Sequence, residues 1–108
     1  MEIANLTQDT FDGAVAQGVT LVDFWATWCG PCKIMGAIIE DELVPQLEPL
    51  GVKVCKVNIE EAPALAARFE VLSIPTLLFI KDGKAVARME GVQKPQDVMG
   101  KVKESWSN

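Results

Sequence analysis

Two stretches of the chain, TLVDFWA at residues 20–26 and VKVCKVNI at residues 52–59, run almost without interruption in apolar, aromatic and β-branched side chains. A strand with one face in water alternates apolar and polar residues. Runs like these are expected where both faces of a strand are covered. Between them, residues 31–47 place Met35, Ile38, Ile39 and Leu43 at helical spacing. A buried strand, a helix and a second buried strand imply parallel pairing through a right-handed crossover.

The rest of the chain extends this pattern. A short strand is expected at residues 3–5. LTQDTF then reads as a helix start, with Thr7 as N-cap, Asp9 in the first turn and Leu6 with Phe11 as a hydrophobic staple. Phe11, Ala14 and Val15 form that helix's apolar stripe, and Gly18 ends it. A shorter helix is expected over residues 63–69, with Pro63 at an early position. TLLFI, KDGK and AVARME then spell a hairpin turning at Asp82-Gly83. The last helix opens at Pro95 and carries Val98, Val102 and Trp106 four residues apart, although Gly100 inside it costs roughly 1 kcal/mol relative to alanine. The order β-α-β-α-β-α-β-β-α implies an α/β fold. Its mixed five-stranded sheet holds three parallel strands and a C-terminal antiparallel hairpin, flanked by four helices on both faces.

At 108 residues, with no repeat, linker or low-complexity tract, the chain reads as one domain over residues 1–108. Apolar residues make up 49% of it, enough for a core, and charged residues at 23% argue against disorder. A net charge of -5 weighs against nucleic-acid binding, which wants a clustered basic face. The opening MEIANLTQDT lacks the basic and apolar regions of a signal peptide, and no apolar run is long enough to span a membrane. A soluble, cytoplasmic protein is the expectation, with its free thiols kept reduced.

The three cysteines are Cys29, Cys32 and Cys55, and there is no histidine. Cys29 and Cys32 belong to WCGPC. As a structural staple this pair is poor: closing so short a loop is worth ~1.9 kcal/mol, against ~3 kcal/mol for a 15-residue loop, and it ties together nothing distant. As a zinc half-site it lacks partners, since Cys55 is the sole further candidate and a structural site wants four ligands. A redox role explains more. The pair falls where a buried strand gives way to a helix, so Cys29 is expected near unpaired backbone N–H groups and the positive end of the helix dipole. Those groups favour the thiolate, which is the nucleophile. Cys32, one helical turn later, lies on the same face and reaches Cys29, while Pro31 occupies a position whose N–H is not needed. Cys29 is expected to be reachable and Cys32 mostly covered.

The segments VDFWATWCGPCK (22–33), VNIE (57–60), SIPTLLFIKDGK (73–84) and GV (91–92) resemble the thioredoxin family in order and spacing across essentially the whole chain. WCGPC followed by a downstream Ile-Pro-Thr strand start is far more specific than a bare CxxC. The resemblance implies a thioredoxin fold and reduction of protein disulfides by thiol–disulfide exchange. Cys29 attacks a substrate disulfide, and Cys32 resolves the mixed disulfide to leave Cys29-Cys32 oxidised. It implies that Asp23 lies beneath the pair with a raised pKa and relays a proton to or from Cys32, rather than reaching solvent. Lys56 matches the lysine beside that aspartate, with a snorkelling surface lysine as the bland alternative.

The resemblance further implies a cis Ile74-Pro75 bond facing the cysteines. The backbone at Ile74 would pair with an extended substrate segment. Trp28, Gly30, Pro31, Ile74, Pro75, Gly91 and Val92 would line an apolar docking surface. Trp25 is expected to pack against the active-site region, and Cys55 to be inert core. Oxidising relatives often carry a histidine between the cysteines, whereas Gly-Pro stands here, so the couple is expected to be reducing. The implied partners are a thioredoxin reductase and disulfide-containing proteins. No metal, organic cofactor, nucleic acid or membrane is implied, and the protein is expected to be a monomer. The alternatives are a disulfide isomerase or oxidase of the same fold, and a redox-silent binding subunit of a larger assembly. One departure stands out: many thioredoxins carry a helix-kinking proline five residues after the second cysteine, where this chain has Gly36-Ala37. A straighter helix, or a bend at Gly36, is expected.

Overall fold

A computed structural model describes residues 3–106. Five strands, β1 (Ala4–Asn5), β2 (Val19–Trp25), β3 (Lys53–Asn58), β4 (Thr76–Lys81) and β5 (Lys84–Glu90), form one sheet in the order β1-β3-β2-β4-β5. β3 pairs in parallel with both β1 and β2, while β4 pairs antiparallel with β2 and with β5. This is the mixed sheet expected from the element order.

The central strand β2 shows why its apolar run is continuous. Leu21 faces a cluster with Met35, Ile39, Leu43, Leu47, Phe79 and Val98. Val22 and Phe24 face the opposite cluster, with Phe11, Val15 and Leu65. The first cluster lies under the long helix and the C-terminal helix, the second under the two short helices. Each wholly buried Leu or Phe removed from water contributes about 1.5–3 kcal/mol, so covering both faces is the main support of the sheet. Asp23 alternates with Val22 and Phe24 and therefore shares the face of Leu21, beneath the long helix. That placement matters for the site.

The helices are α1 (Phe11–Val15), α2 (Gly30–Ile38), α3 (Val44–Leu47), α4 (Pro63–Arg68) and α5 (Pro95–Trp106). α2 and α3 are joined without a break by a π-helical turn, Ile39–Leu43, so the helical units number four. The helix runs through Gly36 without interruption, and the irregularity comes later than expected. Pro45 explains it. Its ring crowds the carbonyl four residues back and it has no N–H to donate. The turn before it widens accordingly, and the Val44 N–H bonds to the Ile39 carbonyl five residues back.

The first helix also starts later than its sequence suggests. Thr10, not Thr7, is the N-cap, and Asp9 precedes the helix. Thr7 instead heads a preliminary turn in which its N–H donates to Thr10 Oγ1 at 2.8 Å and its carbonyl accepts from the Phe11 N–H at 2.9 Å. Leu6 and Phe11 are buried in one cluster, but with Thr10 as the N-cap Phe11 opens the helix, so the pair is a core contact and not the staple expected about Thr7. The hairpin turns at Asp82 and Gly83, whose φ values of 48° and 83° suit a two-residue turn with both residues left-handed. Asp82 also ties this turn to the approach to β2: its N–H donates to Gly18 O and its Oδ1 accepts from Gly18 N–H, both at 2.8 Å.

Candidate active site

β2 delivers the chain to a loop whose end caps α2. Cys29 is that cap, with extended backbone (φ -93°, ψ 109°), and its Sγ accepts a hydrogen bond from the Cys32 N–H at 3.1 Å. Pro31 sits in the first helical turn, where a missing N–H costs nothing. Cys29 and Cys32 are joined in a disulfide, with their Cα atoms 5.2 Å apart. A helix start thus aims a backbone N–H and the positive end of its dipole at the Cys29 sulfur. These are the groups that stabilise a thiolate once the bond is reduced.

The expected contrast in exposure is absent in this oxidised state. Cys29 is 5% exposed and Cys32 4%. The disulfide folds Cys29 back over the Cys32 N–H, and Trp25, Ile59 and Ile74 pack around the pair. The two cysteines differ in their neighbours instead. Cys29 Sγ lies 3.9 Å from the Ile74 carbonyl oxygen, which a thiol there would donate to. Cys32 lines a cavity of about 290 Å³ with Asp23, Trp25, Glu40 and Lys56.

Asp23 is 1% exposed, and neither carboxylate oxygen has a hydrogen-bond partner among the described residues. Burial pushes its pKa up from 3.8 to about 7, and the nearby Lys56 cation offsets only part of that rise. Lys56 is half-buried and directly opposite Asp23 in the sheet register. Its ammonium lies 4.7 Å from the Trp25 ring centroid, a cation–π contact.

The Ile74-Pro75 bond is cis. Pro75 itself is buried and its carbonyl accepts from the Gly91 N–H at 2.8 Å, which joins two sequence-distant parts of the expected docking surface. Gly91 holds φ at +85°, a conformation that favours glycine. Trp28 stands 68% exposed and Val92 44%, with Gly30 and Pro31 exposed and Ile74 half-buried. Cys55 is buried in the core opposite this site, and burial pushes its thiol pKa up, away from reactivity.

The thioredoxin family model matches residues 2–104. The chain belongs to the thioredoxin family. A thioredoxin of Staphylococcus saprophyticus is 43% identical over 98 residues, covering 91% of this chain and 92% of the relative. A thioredoxin of Staphylococcus aureus strain Mu50 is 44% identical with the same coverage. Family membership and the joined cysteine pair together make this chain a protein-disulfide oxidoreductase, with Cys29 and Cys32 as its redox centre.

Two supports of this site carry no signature in the sequence. Thr27, just before Trp28, donates both its N–H (3.1 Å) and its hydroxyl (2.9 Å) to Glu60 Oε1, anchoring the loop that leads to Cys29. Asn5 Oδ1 accepts from the Trp25 indole N–H at 3.0 Å, fixing the ring on which Lys56 rests. Both contacts join residues far apart in sequence, and no local pattern signals them. No helix of the described residues is long and apolar enough to cross a membrane.

Proposed function

We propose that this chain acts as a single-domain, monomeric thioredoxin of the cytoplasm that reduces disulfides in other proteins and is recharged by a thioredoxin reductase. The Cys29 thiolate attacks one sulfur of a substrate disulfide; the substrate S–S bond breaks and a mixed disulfide forms. The released substrate thiolate takes a proton from solvent. Cys32 then loses its proton to Asp23, its thiolate attacks Cys29 Sγ, and the second substrate sulfur departs as a thiolate that is protonated in turn. The two electrons that reduce the substrate are those that leave the Cys29-Cys32 dithiol.

The observation that carries this reading is the shared cavity beneath the pair. Asp23, Lys56 and Cys32 line it together, and Asp23 has a pKa near neutral pH. A general base works best when its pKa lies near the working pH. A water takes about 30 Å³ of liquid volume, so the cavity is roomy enough for one to carry the proton between Asp23 and Cys32. Lys56 limits how far the Asp23 pKa rises. Substrate docks on Trp28, Gly30, Pro31, Ile74, Pro75, Gly91 and Val92, pairing its main chain with that of Ile74.

The test is dithiothreitol-driven reduction of insulin with the intact protein and with Cys29→Ser. The intact protein should accelerate it and Cys29→Ser should not. No acceleration by the intact protein would sink the reductase reading in favour of a redox-silent subunit, and acceleration surviving in the variant would remove Cys29 from its role.

A further inference from the structure

The segment VLSIP, residues 71–75, brings Ile74 to the cysteines, and its upstream end is built in an unusual way. α4 closes with the Val71 N–H bonded to the Ala66 carbonyl at 2.8 Å and the Glu70 N–H bonded to Ala67 O at 3.1 Å. Glu70 takes φ +53°, in the left-handed region where helix ends ordinarily place glycine. The carbonyls of Phe69 and Glu70 both receive the guanidinium of Arg88, which reaches across from β5. Nη1 donates to Glu70 O at 3.3 Å and Nη2 donates to Phe69 O.

β5 therefore grips this segment at both ends. Arg88 holds it at residues 69–70, and Gly91, just beyond the strand, holds the Pro75 carbonyl. Thr76 Oγ1 adds an internal tie to the Ser73 carbonyl at 2.6 Å. Between the grips stand Leu72, 93% exposed, and Ile74, whose carbonyl faces Cys29. A leucine so fully in water costs apolar hydration and leaves nearly all of its side chain open to a partner.

We propose that Arg88 is a positioning residue for substrate docking. Its planar fork fixes where the 71–75 segment leaves α4, so that the Ile74 main chain and the Leu72 side chain meet an extended polypeptide in one arrangement. The occupant is an extended, disulfide-bearing peptide segment with an apolar side chain to set against Leu72. The proposal rests on the docking reading above. It requires arginine, because one lysine ammonium does not reproduce two parallel N–H donors in a rigid plane.

The test compares Arg88→Met and Arg88→Lys with the parent in dithiothreitol-driven reduction of insulin and of hydroxyethyl disulfide, a substrate that meets Ile74 beside Cys29 but is too small to extend along the segment to Leu72. For Arg88→Met, the KM for insulin should rise about three- to tenfold while kcat stays within about twofold, the signature of lost binding rather than lost chemistry. The rate on hydroxyethyl disulfide should be unchanged, and Arg88→Lys should recover less than half of the insulin effect. An unchanged insulin KM in Arg88→Met would overturn the proposal. So would equal losses on both substrates, which would mark a structural effect, or full rescue by Arg88→Lys, which would mark charge steering. If the parent itself fails on insulin, the reductase reading fails, and that outcome is distinguishable from a failure confined to Arg88→Met.

Discussion

Asp23 and Lys56 are directly opposed residues of adjacent parallel strands, yet the lysine does not hold the carboxylate ionised. The carboxylate is buried without a hydrogen-bond partner among the described residues, while the ammonium rests over the Trp25 ring and keeps contact with the cavity. Desolvation outweighs attraction, and the Asp23 pKa stands at about 7. One acidic group is thereby held ready to gain or lose a proton within a shared cavity with Cys32.

This arrangement fixes the sign of a stability effect. The folded pKa of Asp23 is raised, so the folded state holds the proton more tightly than the unfolded chain. Stability from this group is fully present below pH 3.8, declines as pH rises, and is lost above about 7. Asp23→Asn removes the titration. In urea unfolding of the oxidised protein, the stability of the variant relative to the parent should grow between about pH 4 and pH 8, by up to roughly 4 kcal/mol at 1.36 kcal/mol per pKa unit. A difference that is flat with pH would show that Asp23 does not titrate in this window.

The same substitution should slow catalysis while it stabilises the fold. Stopped-flow release of a mixed disulfide at neutral pH should be roughly tenfold slower in Asp23→Asn, a modest loss for a general base because cavity water still connects Cys32 to solvent. The pH profile should lose its inflection near 7. An unchanged rate would remove Asp23 from the proton path.

Lys56 has a separate readout. Lys56→Met deletes the cation that offsets desolvation, so the Asp23 pKa should move further up. Carbon-13 NMR titration of the Asp23 carboxyl checks this directly. A pKa that stays in place would mean that Lys56 is a surface lysine with its stem on Trp25 and nothing more.

Gly100 lies inside α5, and a Cβ added there would meet nothing within 4 Å. Gly100→Ala should therefore stabilise the protein by roughly 1 kcal/mol, raising Tm by about 4–8 °C. Calorimetry reads this, and an unchanged or lowered Tm would show that the glycine serves a packing or dynamic purpose in the helix.

The strands, the parallel pairing of residues 20–26 with 52–59 and the hairpin were legible because buried strands write continuous apolar runs and Asp-Gly writes its turn, whereas the docking of β4 against β2 that sets the strand order was not. The cysteine pair was legible because its spacing and its place at a helix start carry their own chemistry. Features set by tertiary geometry were not. The π-turn reflects Pro45 acting on the residues before it and not the helix-weakening Gly36. The equal burial of Cys29 and Cys32 comes from packing by Ile59 and Ile74, from other parts of the chain. Asn5, Glu60 and Arg88 each act through one long-range hydrogen-bond set, and nothing in their immediate neighbours announces it.

The central claim is the division of labour between Cys29 and Cys32, and a trapping experiment tests it most directly. Reduced Cys32→Ser, mixed with a disulfide-bearing protein and analysed by intact mass and peptide mapping, should accumulate a mixed disulfide through Cys29, because nothing remains to resolve it. Reduced Cys29→Ser should accumulate none. Adducts forming through Cys32 in Cys29→Ser, at a rate equal to that of Cys29 in Cys32→Ser, would contradict the assignment of attack to the helix-capping cysteine.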